Sequence, residues 1–183
     1  MIEDTGRAMT NWTMNGRCWK FGDNVGIDGD MMPLEFALKR ETNPAVLGPY
    51  LMTGLDPDFP KKVKPGDIIV GGKRFAQGNP HIQGLIGISA HGLGLVVESI
   101  QRGSYRNAIN AGVPFLPACV GVGELVQTGD QIEVNFATGV FINHSRGTQM
   151  QYPPLAQSQL AIIAAGGWRA QLEARVAAMR AKG

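Results

Sequence analysis

His81 follows Gly78-Asn79-Pro80, and these residues hold the densest chemistry of the chain. An imidazole can grip a carboxylate as a cation or take a proton as a base near neutral pH. Asparagine caps helices well, because its side chain accepts a hydrogen bond from a first-turn amide. Proline suits the first helical position, where its missing N–H would be unpaired anyway. The spacing therefore predicts a helix that starts at Asn79-Pro80, carries His81 in its first turn and stops at Gly92. Gln77 and Gly78 lie just ahead of that start, where free amides and the positive end of the helix dipole favour an anion. The plainer alternative is a tight turn with an ordinary cap. No Gly-Lys-Ser/Thr follows, so this is not a phosphate loop. His91 ends a helix and His144 follows a strand. Three scattered histidines without paired ligand spacing argue against a metal site on this chain.

The element that must position these residues is a strand. Ile68-Ile69-Val70 is a short apolar run between glycines, as a buried strand requires. Gly66–Gly92 thus reads as strand, glycine-rich loop, helix, with Gly84 and Gly87 letting the helix lie close to its neighbours. Upstream, Gly16–Phe21 alternates as a strand with Cys18 or Trp19 facing inward, after a polar tail over residues 1–15. Gly22–Asp30 is dense in turn residues. Its acidic spacing superficially resembles a calcium loop, but Gly26 falls where a ligand is needed and Pro33 interrupts the end. Six prolines between Met31 and Pro65 allow only short turns of helix, at Glu35–Arg40 and Pro49–Thr53. Lys39 and Arg40 are the charges of note on this long connection, and such connections are often functional.

Beyond the central unit, Leu95–Val97 reads as a strand, Ser104–Ala111 as a helix closed by Gly112, and Val113–Leu116 as another strand. That alternation predicts a parallel or mixed α/β layer. Gln131–Phe136 and Val140–Asn143 form a hairpin with one wet face. Leu155–Ala165 is an apolar helix ending at Gly166-Gly167. Trp168, Leu172, Val176 and Met179 share one helical stripe over residues 168–183, a packing surface within the chain or against a partner.

A chain of 183 residues suits one well-packed domain. The net charge of +2 is too small to suggest nucleic acid or a membrane surface as partner. Residues 1–15 lack the apolar core of a signal peptide, and no apolar run reaches the roughly 20 residues that span a bilayer. A cytoplasmic protein is expected. Cys18 and Cys119 can neither build a disulfide framework nor hold a cluster alone.

In order, Gly16–Asn24, Val63–Val70, Glu98-Ser99 with Tyr105–Asn110, and Ile163–Gly167 resemble the small subunit of 3-isopropylmalate dehydratase, the separate form of the aconitase-superfamily swivel domain. The matches cover most of residues 16–167. The resemblance implies a three-layer β/β/α domain there. It implies a hydro-lyase, dehydratase or isomerase, for a small hydroxy-di- or tricarboxylic acid. It also implies an aconitase-like large subunit carrying a [4Fe-4S] cluster, with no cofactor on this chain. One departure stands out. After the glycine here numbered Gly78, the family continues Ser-Ser-Arg-Glu, the first serine being taken as the base. Asn79-Pro80-His81-Ile82 replaces it. An amide is no useful base, and proline has neither hydroxyl nor N–H. Asp28 keeps the acid of the family's Thr-Asp pair, but Ile27 replaces the threonine, and one residue is inserted before Pro33. The fold carries over and the catalytic serine does not. That leaves His81, at the arginine's place, as candidate catalytic residue, with Gln77, Gly78, Asn79, Pro80, Arg40 and Asp28 as candidate substrate contacts. The alternative is a non-catalytic swivel module that binds a carboxylate or a partner.

Overall fold

A computed structural model describes residues 11–181. One seven-stranded sheet has the order β4-β3-β2-β1-β5-β6-β7, from Phe115–Leu116 (β4), Gly94–Val97 (β3), Ile68–Gly71 (β2) and Thr13–Lys20 (β1) through Gln131–Asn135 (β5) and Val140–Asn143 (β6) to Thr148–Gln151 (β7). β1 to β4 pair in parallel, while β5 joins β1 antiparallel and continues into the β6 and β7 meander. Every residue of β2 and β3 is buried, which is why these runs are apolar without alternation. In β5 only Ile132 and Val134 are fully buried, so the wet face expected of the hairpin is present.

Side chains alternate across a strand, and the sheet has a core on each face. Cys18, Ile68, Val70, Val96, Leu116, Ile132, Val134, Phe136 and Phe141 pack together where the two halves of the sheet face each other. Trp19, Ile69, Leu95, Val97, Leu85, Ile88, Ile109 and Leu160 pack on the helix side. Cys18 and Trp19 are thus both interior, on opposite faces. The result is the β/β/α layering that the resemblance implies. The helices over the parallel half are Gln83–Ala90 (α4), Arg102–Asn110 (α5) and Gln157–Ala164 (α6). The proline-rich connection contributes only Leu34–Leu38 (α1), Pro44–Leu47 (α2) and Phe59–Lys62 (α3), with one turn of 3-10 helix at Gly48–Tyr50.

The boundaries differ from expectation in three places. β1 begins at Thr13, inside the stretch expected to be a tail, because its first residues pair with β5 as far as Thr13 with Asn135. Residues 1–10 lie outside the described part. β7 was not expected. The C-terminal helix, Trp168–Arg180 (α7), buries no residue, and Trp168 and Met179 are 54% and 72% exposed. Its apolar stripe lies against α5 and α6 but is only partly covered there.

Because β1, β2 and β3 run parallel, their C-terminal ends deliver the loops after Lys20, Gly71 and Val97 to one edge of the sheet. Ligands bind at such edges in open α/β folds.

Candidate functional site

Two of these loops zip together. The Ile27 and Gln77 amides donate to the carbonyls of Gln77 and Val25, at 2.9 and 3.0 Å. This short parallel bridge carries Asp28 to the end of the glycine-rich loop. There His81 Nδ1 lies 2.8 and 2.9 Å from the two carboxylate oxygens of Asp28. A carboxylate only accepts, so Nδ1 carries the hydrogen and Nε2 is the nitrogen left for a ligand. The pair is part-buried, with His81 33% and Asp28 25% exposed at the side chain.

The expected helix start is corrected by the structure. α4 begins at Gln83, after Ile82, with no side-chain cap. The reason is local. The His81 amide turns back to the Asn79 carbonyl at 2.7 Å. Asn107 Nδ2 takes the Pro80 carbonyl at 2.6 Å, the acceptor a helical Gly84 amide would have needed. Gly103 lies against the Pro80 ring, where an added Cβ would come within 2.5 Å of the Pro80 Cβ. His81 therefore precedes the helix, in an irregular turn held by α5 and Asp28. Gly92 does close α4 with a left-handed φ of 65°. Gly84 and Gly87 do bring the helix close, since a Cβ at either would sit 3.1 Å from Met31 or Leu51.

Asn79 is exposed, and its side chain has no hydrogen-bond partner among the described residues. Asn79→Ala is accordingly expected to change stability by less than about 0.5 kcal/mol, against the roughly 1 kcal/mol of a true cap; a thermal or urea melt checks it.

His81, Pro80 and Arg40 line a cleft of about 450 Å³ with Ala37, Thr42, Gln83 and Asn107. Gln83 is almost wholly buried, and its Nε2 donates to the Glu41 carbonyl at 3.0 Å. That bond ties the helix start to the proline-rich connection. Arg40 is exposed, has no ion-pair partner among the described residues, and holds a left-handed φ of 55°. It occupies the position after α1 where glycine is usual, at a cost of about 1–2 kcal/mol for a side-chain-bearing residue. Lys39 is engaged differently. A 2.8 Å bond to Glu35 stabilises its charged form and moves its pKa up. Gln77 and Gly78 fall outside this cleft and line a second cavity, with Arg74, Ser99, Ile100 and Gln101.

The structure thus gathers His81, Asp28, Pro80 and Arg40, puts Gln77 and Gly78 across the loop, and leaves Asn79 between the two. Gln83 and Arg74 carried no signal of their own in the sequence, and Asn107 stood out only as part of the Tyr105–Asn110 match. His91 Nε2–H donates to the Gly48 carbonyl, and His144 pairs with Glu133.

Ligands for an iron–sulfur cluster do not assemble here. Among the described residues no group of three or more His, Cys, Asp and Glu could hold a metal. Cys18 and Cys119 are buried, and burial pushes both thiols up to about 12. No helix of the described residues is long and apolar enough to cross a membrane.

No family model matches the sequence. Individual relatives do. The isopropylmalate/citramalate isomerase small subunit of Methanocaldococcus jannaschii is 42% identical over 165 residues, 90% of this chain and 96% of that protein. The 3-isopropylmalate dehydratase small subunit of Pyrobaculum calidifontis is 41% identical over 155 residues, 84% and 93% of the two chains. The crystal structure of a 3-isopropylmalate dehydratase from Methanocaldococcus jannaschii superposes with a TM-score of 0.82 at 32% identity, covering 93% of this chain and 99% of that one. Likeness of this degree, over most of both chains and in the same β/β/α layers, places the chain in the 3-isopropylmalate dehydratase small-subunit family, as a component of a heteromeric hydro-lyase.

Proposed function

We propose that this chain completes the active site of an iron–sulfur hydro-lyase whose large subunit carries a [4Fe-4S] cluster. The substrate is a small hydroxy-di- or tricarboxylic acid, which the complex dehydrates, hydrates or isomerises. His81, at the arginine's place, takes over the proton-accepting role of the missing serine. The observation that carries this reading is the Asp28–His81 pair at the cleft that Arg40 also lines.

With Nδ1–H given to Asp28, the Nε2 lone pair of a neutral His81 is available to accept the proton from the carbon beside a substrate carboxylate. Asp28 fixes the tautomer and steadies the imidazolium that forms, the division of labour seen in histidine–carboxylate pairs generally. Arg40 binds a carboxylate through its guanidinium. The electrons of the broken C–H bond form the alkene as the hydroxyl leaves. Polarising that hydroxyl is the chemistry the partner's cluster supplies when bound.

The test is co-expression with an aconitase-like large chain, anaerobic purification of the complex, and a hydratase screen over substituted malates and their alkenes. Turnover that needs both chains is the expected result. A complex that forms and turns over none of these acids favours the non-catalytic module, the reading prompted by the lost serine hydroxyl.

Arg40 admits a sharper test. Arg40→Gly relieves the left-handed strain and is expected to raise stability by about 1 kcal/mol. It is also expected to raise KM about tenfold to a hundredfold with little change in kcat, as for lost uniform binding. Melts and steady-state kinetics on the same complex read both effects. An unchanged KM returns Arg40 to solvated surface.

A further inference from the structure

The second cavity, about 360 Å³, is lined by Arg74, Gln77, Gly78, Ser99, Ile100 and Gln101. We infer that it is a carboxylate subsite, taking the end of a di- or tricarboxylate that lies farthest from His81. The inference deepens the proposed function and rests on it.

No residue of this lining is acidic, and one is a cation. Arg74 Nε donates to Asn24 Oδ1 at 2.6 Å, and its backbone N–H donates to Ser99 Oγ at 2.9 Å. A guanidinium has five N–H donors, so anchoring one leaves four. No carboxylate pairs with Arg74 among the described residues. Asn24, at the far end of that 2.6 Å bond, is itself part of the bridge region that carries Asp28. The guanidinium is therefore tied to the same loop that places His81. Ser99 accepts the Arg74 amide and keeps its own hydroxyl hydrogen to donate. Gln101 adds a side-chain amide, which makes no other hydrogen bond among the described residues. Ile100 supplies an apolar wall. A cation, a hydroxyl donor and an amide around one apolar side chain suit an organic carboxylate attached to a short alkyl segment.

The two cavities are lined from either side of Asn79. Gly78 lines one and Pro80 the other, and residues two apart are separated by at most about 7 Å. An acid with one carboxylate at Arg40 and His81 can place another beside Arg74 only if it is long enough to pass Asn79. The inferred selectivity is for extended di- and tricarboxylates over monocarboxylates.

The test has two arms. In the first, the full-length chain labelled with ¹⁵N is titrated with citrate and with lactate, read at the amides of Gly78, Ser99 and Gln101. Citrate is expected to shift these signals and lactate to leave them. Arg74→Gln is expected to weaken citrate at least tenfold, whereas Arg74→Lys, which keeps the charge but loses the Asn24 bond, recovers most of it. In the second arm, Arg74→Gln in the active complex raises KM for a dicarboxylate about tenfold. Equal shifts with lactate and citrate, equal losses in the Gln and Lys variants, or an unchanged KM each overturn the subsite. An inactive complex overturns the hydro-lyase reading instead, while Arg74-dependent citrate binding still upholds the subsite.

Discussion

His81→Ala in the assembled enzyme is expected to lower kcat/KM by about 10²- to 10⁴-fold, the range that positioned proton transfer contributes. Stability should barely move. The imidazole is a third exposed and its one partner among the described residues is Asp28, and pairs this open to solvent contribute about 1 kcal/mol or less. Asp28→Asn separates orientation from charge. It keeps the shape but can offer Nδ1 either a donor or an acceptor, so the tautomer is no longer imposed, and kcat is expected to fall at least about tenfold with KM little changed. The pH profile identifies the role. A general base gains activity as pH rises, because the neutral imidazole is the working form. An imidazolium that only binds a carboxylate loses activity over the same range. Full activity with an unaltered profile in His81→Ala would make the histidine a bystander and assign the base to the large subunit.

The second large effect concerns stability. Asp67 is 6% exposed and accepts three hydrogen bonds, from the Arg17 amide at 3.0 Å, the Trp19 indole at 2.9 Å and the Lys64 amide at 3.0 Å. It fastens β1 to the turn that launches β2, and so to the loop that ends at His81. Asp67→Ala strands all three donors, each costing about 1–3 kcal/mol when buried without a partner. A loss of about 3–5 kcal/mol is expected in urea unfolding, with residual activity falling as the loop loses its base. Asp67→Asn can satisfy at most part of this set and should fall between. A loss below about 1 kcal/mol in Asp67→Ala would show that water replaces the carboxylate at little cost.

The strands that could be read directly from the chain are those whose burial leaves a local imprint. β2, β3, β5 and β6 carry either an unbroken apolar run or strict alternation. β7, Thr148-Gln149-Met150-Gln151, carries neither, because it is a polar edge strand held by its ladder to β6 and not by burial. The helix start failed for a related reason. Asn79 and Pro80 have the right propensities, but the Pro80 carbonyl is claimed by Asn107, 27 residues away. A local preference of about 1 kcal/mol yields to such a tertiary contact. Asp28 and His81 were each candidates, yet nothing in their spacing announces that they touch across 53 residues. The bridge between Gly26 and Gln77 brings them together. Asp28 in particular was reached through family resemblance, and the structure holds it against the imidazole.

The place of β1 in the sheet also bears on how the chain is made. β1 is among the first described residues to leave the ribosome, yet it is the seam between the parallel and antiparallel halves, with β2 on one side and β5 on the other. Domains generally fold as units during synthesis. Met14 pairs with Val134 and Thr13 with Asn135. The antiparallel side of the first strand must therefore wait, with its backbone donors open, until translation has passed Asn135. Through most of synthesis the nascent parallel half presents an unfinished edge, the feature that invites pairing with another chain. A ribosome paused before β5 should hold an aggregation-prone species, and one paused after it a closed sheet.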